Sequence, residues 1–336
     1  MNADKVVTIR DVANRAGVAV STASRALGNG SASAATRQRV RQAAEELHFS
    51  PNSAARRLSS GRSGVVALAV PEPAPFIFGD PFISGMISRL SLAFAQRGLL
   101  PFLALTNPDD AEGFKSLLDR VGADGLVVLS YHQSNRVAEV IHHYRKPQVF
   151  IGRPPHGSSV PYVDVNNRAG GYLAGQRLIE IGRSRIAVIA GPEDMTAPSD
   201  RTEGITQALQ EAGLSPVVVL QGPFSTDSGY AAMHRILEDF PDVDAVFAES
   251  DEIAAGAMQA IAMCSRHIRI PQDLAIIGFD DFRLAKALSP KLTSIAQPLD
   301  DMANGAAQML QDCLKDGVCR DRSKIFDVQL KPRDTA

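Results

Sequence analysis

Two groups of residues in this 336-residue chain carry chemistry by their types and spacing. Ser21-Thr22-Ala23-Ser24-Arg25 sets three hydroxyls and one guanidinium on a short polar segment whose other side chain is small. Small residues let a backbone approach a groove wall. Hydroxyls donate to phosphates or base edges, and an arginine binds guanine through two parallel hydrogen bonds. The second group is Arg201 and Asp280. Arg201 opens an expected helix after one apolar run, and Asp280 follows the carboxyl end of another, where ligands bind in open α/β sheets. A guanidinium and a carboxylate can each hold two vicinal hydroxyls, which suits a neutral polyol bound without metal. The alternative is a salt bridge between the two across a cleft mouth.

The elements that must position the first group are three short helices. Thr8 can cap a helix beginning at Ile9, with Asp11 in the first turn where a carboxylate suits the helix dipole. Ile9, Val12, Ala13 and Ala16 give it an apolar face, and Gly17 ends it. A second helix runs from Val20 to Gly28. A third follows from a Ser33 cap through Val40 to Leu47 and Phe49. This is a helix-turn-helix with a buttress; the competing reading is a bundle that binds protein. Pro51 stops the third helix, and Asn52 can cap a short helix over 53–60 that is too brief to be stable alone in water. Residues 59–64 read as a linker.

Charge agrees with this division. The chain as a whole carries -2, with 45% hydrophobic and 21% charged residues. Residues 1–62 hold ten basic side chains against four acidic ones, or +6, and the remainder holds 25 against 33, or -8. A solvated helical surface would account for the charge alone. The polar second helix favours a nucleic-acid reader.

From Val65 the pattern changes to apolar runs alternating with amphipathic helices, the mark of a parallel sheet. Strands are expected over 65–70, 101–105, 125–129, 148–151, 185–190, 217–220, 245–248 and 274–278. Helices are expected between them, over 82–97, 169–181, 201–211, 229–240 and 252–263. One barrel or two doubly wound lobes would fit. Crossings near 158–167, 289–297 and Arg320 favour an α/β, two-lobed binding body preceded by the all-α headpiece. The expected division is a headpiece over 1–50, a hinge helix and linker over 51–63, and an effector-binding domain over 64–336. Within that domain lobe one takes about 64–161 and 294–320, and lobe two about 162–293 and 321–333.

Several segments make the match to a known family specific. Thr8-Ile9-Arg10-Asp11-Val12-Ala13, Ala16-Gly17-Val18-Ala19-Val20-Ser21-Thr22-Ala23-Ser24-Arg25 and Pro51-Asn52-Ser53-Ala54-Ala55-Arg56-Arg57-Leu58 resemble the headpiece of the lactose-repressor/purine-repressor (LacI/GalR) family. Gly182-Arg183-Ser184-Arg185, Arg201-Thr202-Glu203-Gly204, Val246-Phe247-Ala248-Glu249-Ser250-Asp251, Gly278-Phe279-Asp280-Asp281 and Pro290-Lys291-Leu292-Thr293-Ser294 extend the resemblance over nearly the whole chain.

The resemblance implies a periplasmic-sugar-binding-protein fold with an effector held between the lobes. It makes Val20, Ser21 and Arg25 the base readers. Thr8, Thr22, Ser24, Thr36 and Asn52 position the DNA backbone, and Ala55 and Leu58 complete the DNA-binding set in the hinge. Hinge helices of a dimer would fold on the operator and wedge Leu58 into the minor groove; packing of Leu58 on the body is the alternative. Effector contacts fall to Asp80, Phe82, Arg201, Ser250, Asp251 and Asp280. For Asp80 a cap on the helix starting at Pro81 is an equal alternative, and a lone phenylalanine such as Phe82 is more often core. Gly28-Asn29, Gly152-Arg153, Ser250 and the short segment 107–121 depart from the family pattern.

The implied protein is a cytoplasmic repressor of carbohydrate-utilisation genes, nucleoid-associated when bound. Its partners are a pseudo-palindromic double-stranded operator, a sugar or glycoside (a nucleobase in second place) and a second copy of itself. With no leucine heptads after 328–331, a dimer is expected rather than a tetramer. The rival is a stand-alone sugar-binding sensor.

Other classes lack their signatures. No apolar run approaches the roughly 18 residues of a membrane span, and Met1–Lys5 does not open a signal peptide. No Walker sequence, nucleophile elbow or HExxH occurs, so no catalytic residue, metal or cofactor is expected. Gly170-Gly171-Tyr172-Leu173-Ala174-Gly175 lacks dinucleotide-binding spacing and reads as helix packing. Cys264, Cys313 and Cys319 form no CxxC pair, which argues against a disulfide framework and against zinc.

Overall fold

The computed structural model describes residues 7–28, 30–49, 62–155 and 159–336, in two compact units that divide between Ser63 and Gly64. The first unit is three helices, α1 (Ile9–Ala16), α2 (Val20–Leu27) and α3 (Ala34–Glu46). Asp11 accepts from both the backbone N–H and the hydroxyl of Thr8, at 2.8 and 2.6 Å, and so closes the first turn of α1. Gly17 leaves α1 at φ +65°, a conformation glycine adopts without strain. Ser33 caps α3 by accepting from Thr36 N–H. Val12, Ala13, Ala23, Ala26, Val40 and Ala43 form the small core, so the outer face of α2 is left to polar residues.

The second unit holds two six-stranded sheets. The first contains β1 (Val65–Val70), β2 (Leu100–Leu105), β3 (Gly125–Val128), β4 (Gln148–Ile151), β5 (Tyr162–Val165) and β11 (Ser323–Phe326), in the order β11-β5-β4-β3-β1-β2. The second contains β6 (Ile186–Ala190), β7 (Val218–Gln221), β8 (Ala245–Ala248), β9 (Ala275–Asp280), β10 (Thr293–Ala296) and β12 (Gln329–Lys331), in the order β12-β10-β9-β8-β6-β7. The two lobes thus repeat one doubly wound plan. All pairings are parallel except β10 with β12. Strands β1, β3, β4, β6, β8 and β9 are buried along their whole length, as strands covered on both faces must be.

The helices of lobe one are α4 (Ala74–Gly79), α5 (Pro81–Gln96), α6 (Ala111–Val121), α7 (Val137–His142) and α13 (Leu299–Asp316). Those of lobe two are α8 (Asn167–Glu180), α9 (Thr196–Glu211), α10 (Thr226–Asp239), α11 (Asp251–Met263) and α12 (Arg283–Ala287).

Several expectations need correction. The chain changes lobe after β5, after β10 and after β11, so 162–165 and 323–326 belong to lobe one and 293–296 to lobe two. Those three strands are only four residues long and carry Asp164, Thr293-Ser294 and Ser323-Lys324, so no apolar run announces them. Arg201 does not open its helix. α9 begins at Thr196, because Pro198 stands in the first turn, where a missing N–H costs nothing. Cys313 and Cys319 are disulfide-bonded: Gly317, at φ +72°, turns the chain back over the end of α13 and brings their Cα atoms to 4.4 Å.

The glycine-rich segment is a helix-packing surface. A Cβ on Gly171 of α8 would stand 2.0 Å from the carbonyl oxygen of Arg201 in α9, and one on Gly204 would stand 2.0 Å from that of Arg168. Backbone cannot yield as a side-chain end can. Gly171→Ala is therefore expected to force the helices apart at a cost of about 1–3 kcal/mol. Because the contact is with Arg201 itself, ligand affinity measured by calorimetry should fall together with the thermal midpoint.

Candidate ligand cleft and nucleic-acid interface

The carboxyl ends of the two sheets face a cleft with an empty volume of about 740 Å³, counting the part open to solvent. Lobe one contributes Phe76, Asp80, Phe82, Ser130 and Asp164, lobe two contributes Arg201, Phe224, Ser250, Glu252, Asp280 and Phe282, and Gln297 enters from the second crossing. Aromatic side chains and hydroxyl-binding groups therefore line one space.

Arg201 is the centre of the polar wall. Burial lowers its pKa against the pull of Asp280, Glu249, Asp164 and Asp200. Its Nε donates to Asn167 Oδ1 at 2.8 Å, its Nη1 donates to the Glu249 carbonyl, and its guanidinium lies 3.6 Å from the centroid of the Phe279 ring. Among the described residues Arg201 and Asp280 form no direct ion pair, so the salt-bridge alternative is not what holds them. Asp280 instead accepts from Gln297 Nε2 at 2.6 Å. Burial raises its pKa well above the ordinary value, Asp251 and Asp80 add to this, and Arg201 and Gln297 oppose it.

Asp280 and Asp281 sit at φ +109° and +58°, a conformation that costs a non-glycine residue free energy of order 1–3 kcal/mol and persists only when fixed from several sides. Here Ser294 Oγ accepts from Asp281 N–H, Arg333 and Lys286 pair with the Asp281 carboxylate, and Asp251 accepts from Phe282 N–H at 2.8 Å. Asp251 is thereby a scaffold residue. Its other oxygen accepts from Ser294 at 2.6 Å, it is fully buried, and it does not line the cleft, contrary to its expected role. The next residue along α11, Glu252, takes that wall.

The other expected contacts, Asp80, Phe82, Arg201, Ser250 and Asp280, do line the space. Asp80 serves two functions, capping α5 through Ile83 N–H at 2.7 Å while facing the cleft; burial pushes its pKa up to about 6. Ser250 caps α11 by accepting from Ile253 N–H. Burial pushes Asp164 to about 6, and Glu249 beneath the wall to about 7. Arg153, at a departure from the family pattern, pairs with Asp200 across the lobes at 2.6 Å. Sequence reading missed Ser130, Asp164, Glu252 and Gln297, which lie apart in the chain; Ser130 and Gln297 follow strands β3 and β10, a signal that could have marked them, whereas Asp164 lies within β5 and Glu252 in the first turn of α11.

On the headpiece, Val20, Ser21, Ser24 and Arg25 are exposed together on one face of α2, and Thr22 is half-buried beside them. Arg25 rests on its own helix, with Nε 3.3 Å from the Ser21 carbonyl. Thr8 and Thr36 lie near the starts of α1 and α3, engaged with Asp11 and Ser33. Two of the basic residues are structural. Arg37 donates to the carbonyls of Ala26 and Gly28 and so fastens the end of α2, while Arg15 pairs with Glu46 at 2.7 Å. Asn52, Ala55 and Leu58 lie outside the described residues.

A helix-turn-helix with a polar, exposed second helix, carried on a chain with a two-lobed cleft, defines a ligand-responsive DNA-binding protein. Residues 8–52 match the family model for bacterial regulatory proteins of the lacI family, and residues 176–336 match a periplasmic binding protein-like domain. The chain is 37% identical over 335 residues to the HTH-type transcriptional regulator CelR of Thermobifida fusca, covering 98% of each chain. It is 32% identical to the ribose operon repressor of Halalkalibacterium halodurans, over 98% of this chain and 93% of that one. The solved complex of the transcriptional regulator CelR with cellobiose superposes with a TM-score of 0.77 at 35% identity, covering 98% of this chain and all (100%) of that one. The lac repressor dimer bound to operator and the anti-inducer ONPF shares the fold, with a TM-score of 0.82 at 24% identity over 98% and 99% of the two chains. The chain belongs to the lacI family of bacterial regulatory proteins. Among the described residues no helix is long and apolar enough to cross a membrane.

Proposed function

We propose that the protein is a homodimeric repressor of carbohydrate-utilisation genes whose affinity for a pseudo-palindromic operator is set by a small neutral saccharide closed between its lobes. The observation that carries this reading is the cleft itself, in which one buried guanidinium and several carboxylates stand between phenylalanine faces. Carboxylates accept from sugar hydroxyls, Arg201 donates to them, and apolar sugar faces pack on Phe76, Phe82, Phe224 and Phe282. The identity to a regulator solved with cellobiose makes that disaccharide the first compound to try.

Residues 1–50 read the operator through Val20, Ser21 and Arg25, with Thr8, Thr22, Ser24 and Thr36 on the backbone. Residues 51–63, with Asn52, Ala55 and Leu58, form the hinge, and 64–336 form the sensor. Binding and release, without a reaction, are the function. The coupling is reciprocal: operator DNA changes saccharide affinity by the factor by which saccharide changes operator affinity.

A gel shift with DNA from upstream of the protein's own gene, at two salt concentrations and with and without cellobiose, tests both halves. Specific retention that falls steeply with salt, as counterion release demands, supports the DNA role. Equal binding to operator and bulk DNA under all conditions would leave only the stand-alone sensor.

A further inference from the structure

A chain of polar side chains that the preceding account does not use leads from the cleft wall across the gap between the lobes. Ser130, two residues beyond β3 and at φ +52°, lines the cleft and donates its hydroxyl hydrogen to Glu72 Oε1 at 2.6 Å. The same oxygen lies 2.8 Å from His132 Nε2, and His132 Nδ1 lies 2.8 Å from Asp194 Oδ1. Ser134 donates to the other oxygen of Asp194 at 2.5 Å. Glu72, Ser130, His132 and Ser134 follow strands of lobe one, whereas Asp194 follows β6 in lobe two. The two carboxylates occupy opposite ring nitrogens, so the three groups do not converge on a point that would hold a cation.

A neutral imidazole has one N–H and can donate to only one of these carboxylates; an imidazolium donates to both. We infer that His132 is a positioning residue of the ligand cleft, which in its protonated form clips Asp194 of one lobe to Glu72 of the other and through Glu72 fixes the Ser130 hydroxyl in the wall. Closure of the cleft therefore takes up a proton. The inference rests on the reading of the cleft as the ligand site.

The ionisable groups acting on the ring are Glu72, after β1, and Asp194, after β6. Burial disfavours the imidazolium, but these two carboxylates outweigh it and hold the pKa above the usual histidine value. Burial also opposes ionisation of Asp194, and Ser134 and His132 together overcome it. The sign follows. A pKa raised in the closed form favours closure at low pH, and that preference is lost as pH rises through the raised value. The second ion pair between the lobes joins Arg153 to Asp200. Carboxyls that face one another across the cleft, Asp80 of lobe one against Glu252 and Asp280 of lobe two, repel when ionised and act with the same sign, so the share of His132 is read from D194N, which leaves them in place.

The test uses the full chain without ligand. Histidine-labelled protein is titrated by NMR, with the His132 signal identified by its loss in H132Q or, should that variant not fold, by its displacement in E72Q. Small-angle scattering is recorded at about pH 6 and pH 9, on either side of the ordinary histidine pKa of about 6.5. The expected result is a His132 midpoint above those of the exposed histidines, lowered by about one unit in D194N, in keeping with loss of a neighbouring charge. The radius of gyration should rise with pH in the parent protein and rise less in D194N; an equal rise in both would overturn the inference. A midpoint within the range of exposed histidines, one indifferent to D194N, or identical scattering at the two pH values would overturn the inference. None of these readouts needs a saccharide. Failure of cellobiose to bind would count against the proposed effector and leave the clip intact.

Discussion

Arg201→Ala is expected to abolish the saccharide response and to destabilise the body by about 3–5 kcal/mol, the usual cost of removing one partner from a buried charged cluster. Among the described residues Arg201 is the cation that acts on Asp280, Glu249 and Asp164 together, and its Nε also holds Asn167. Without it the three carboxyls lose the attraction that opposes their burial, and their pKa values rise further. The sign of the pH dependence follows. A buried carboxyl whose folded pKa exceeds its unfolded value holds its proton more firmly when folded, so stability falls as pH rises between the two values. Glu249 at about 7 and Asp164 at about 6 place that interval between roughly pH 4 and 7 in the parent protein. The variant extends it upward, so urea unfolding should show a larger deficit at pH 8 than at pH 5.5. An equal deficit at both values would mean that Arg201 acts only by packing. Operator binding without effector should be unchanged, because the headpiece has its own core.

Arg25→Ala is expected to weaken operator binding by about 1–3 kcal/mol, roughly 5- to 150-fold, and to relax base preference at one position of each half-site. The contrast with Arg15 and Arg37 makes this specific. Those two guanidiniums hold the headpiece together, whereas among the described residues Arg25 makes only long hydrogen bonds to its own helix and is exposed beside Val20 and Ser21. The melting of the headpiece should therefore stay as it was while a binding-site selection loses its preference. A uniform loss across all sequences, with the preference kept, would make Arg25 a phosphate contact.

Much of this architecture was legible because local patterns report what buries a segment. The parallel strands read as apolar runs, and the headpiece helices carried their stop and start signals in Thr8, Gly17 and Ser33. The short strands were not legible. Thr293 and Ser294 are buried polar residues satisfied by Thr335 and Asp251, far away in the chain, and only the fold brings those partners near. Asp164 is a buried carboxylate in the short strand β5, satisfied closer by through Arg153, Val165 and Asn167. The cleft shows the same limit. Resemblance pointed to Ser250-Asp251, but one residue along a helix is a turn of about 100°. That rotation sends Asp251 into the scaffold and Glu252 into the cleft. His132, Glu72 and Asp194 are some sixty residues apart in pairs and share no motif that a linear reading could find.

The three passages between the lobes have a consequence for how a ligand is captured. β5 and β11 are neighbours in one sheet, and β10 and β12 are neighbours in the other, so the connections leave side by side. Two bodies on a single tether can swing and twist freely; a strap of three strands bends across its width and resists twisting within it. Each lobe therefore keeps its half of the site aimed at the other even when they part. A ligand that lands on one wall meets the second as a tethered reactant, at an effective concentration set by the strap and no longer by the cell. Affinity then depends less on either wall alone than on how far the strap lets them separate.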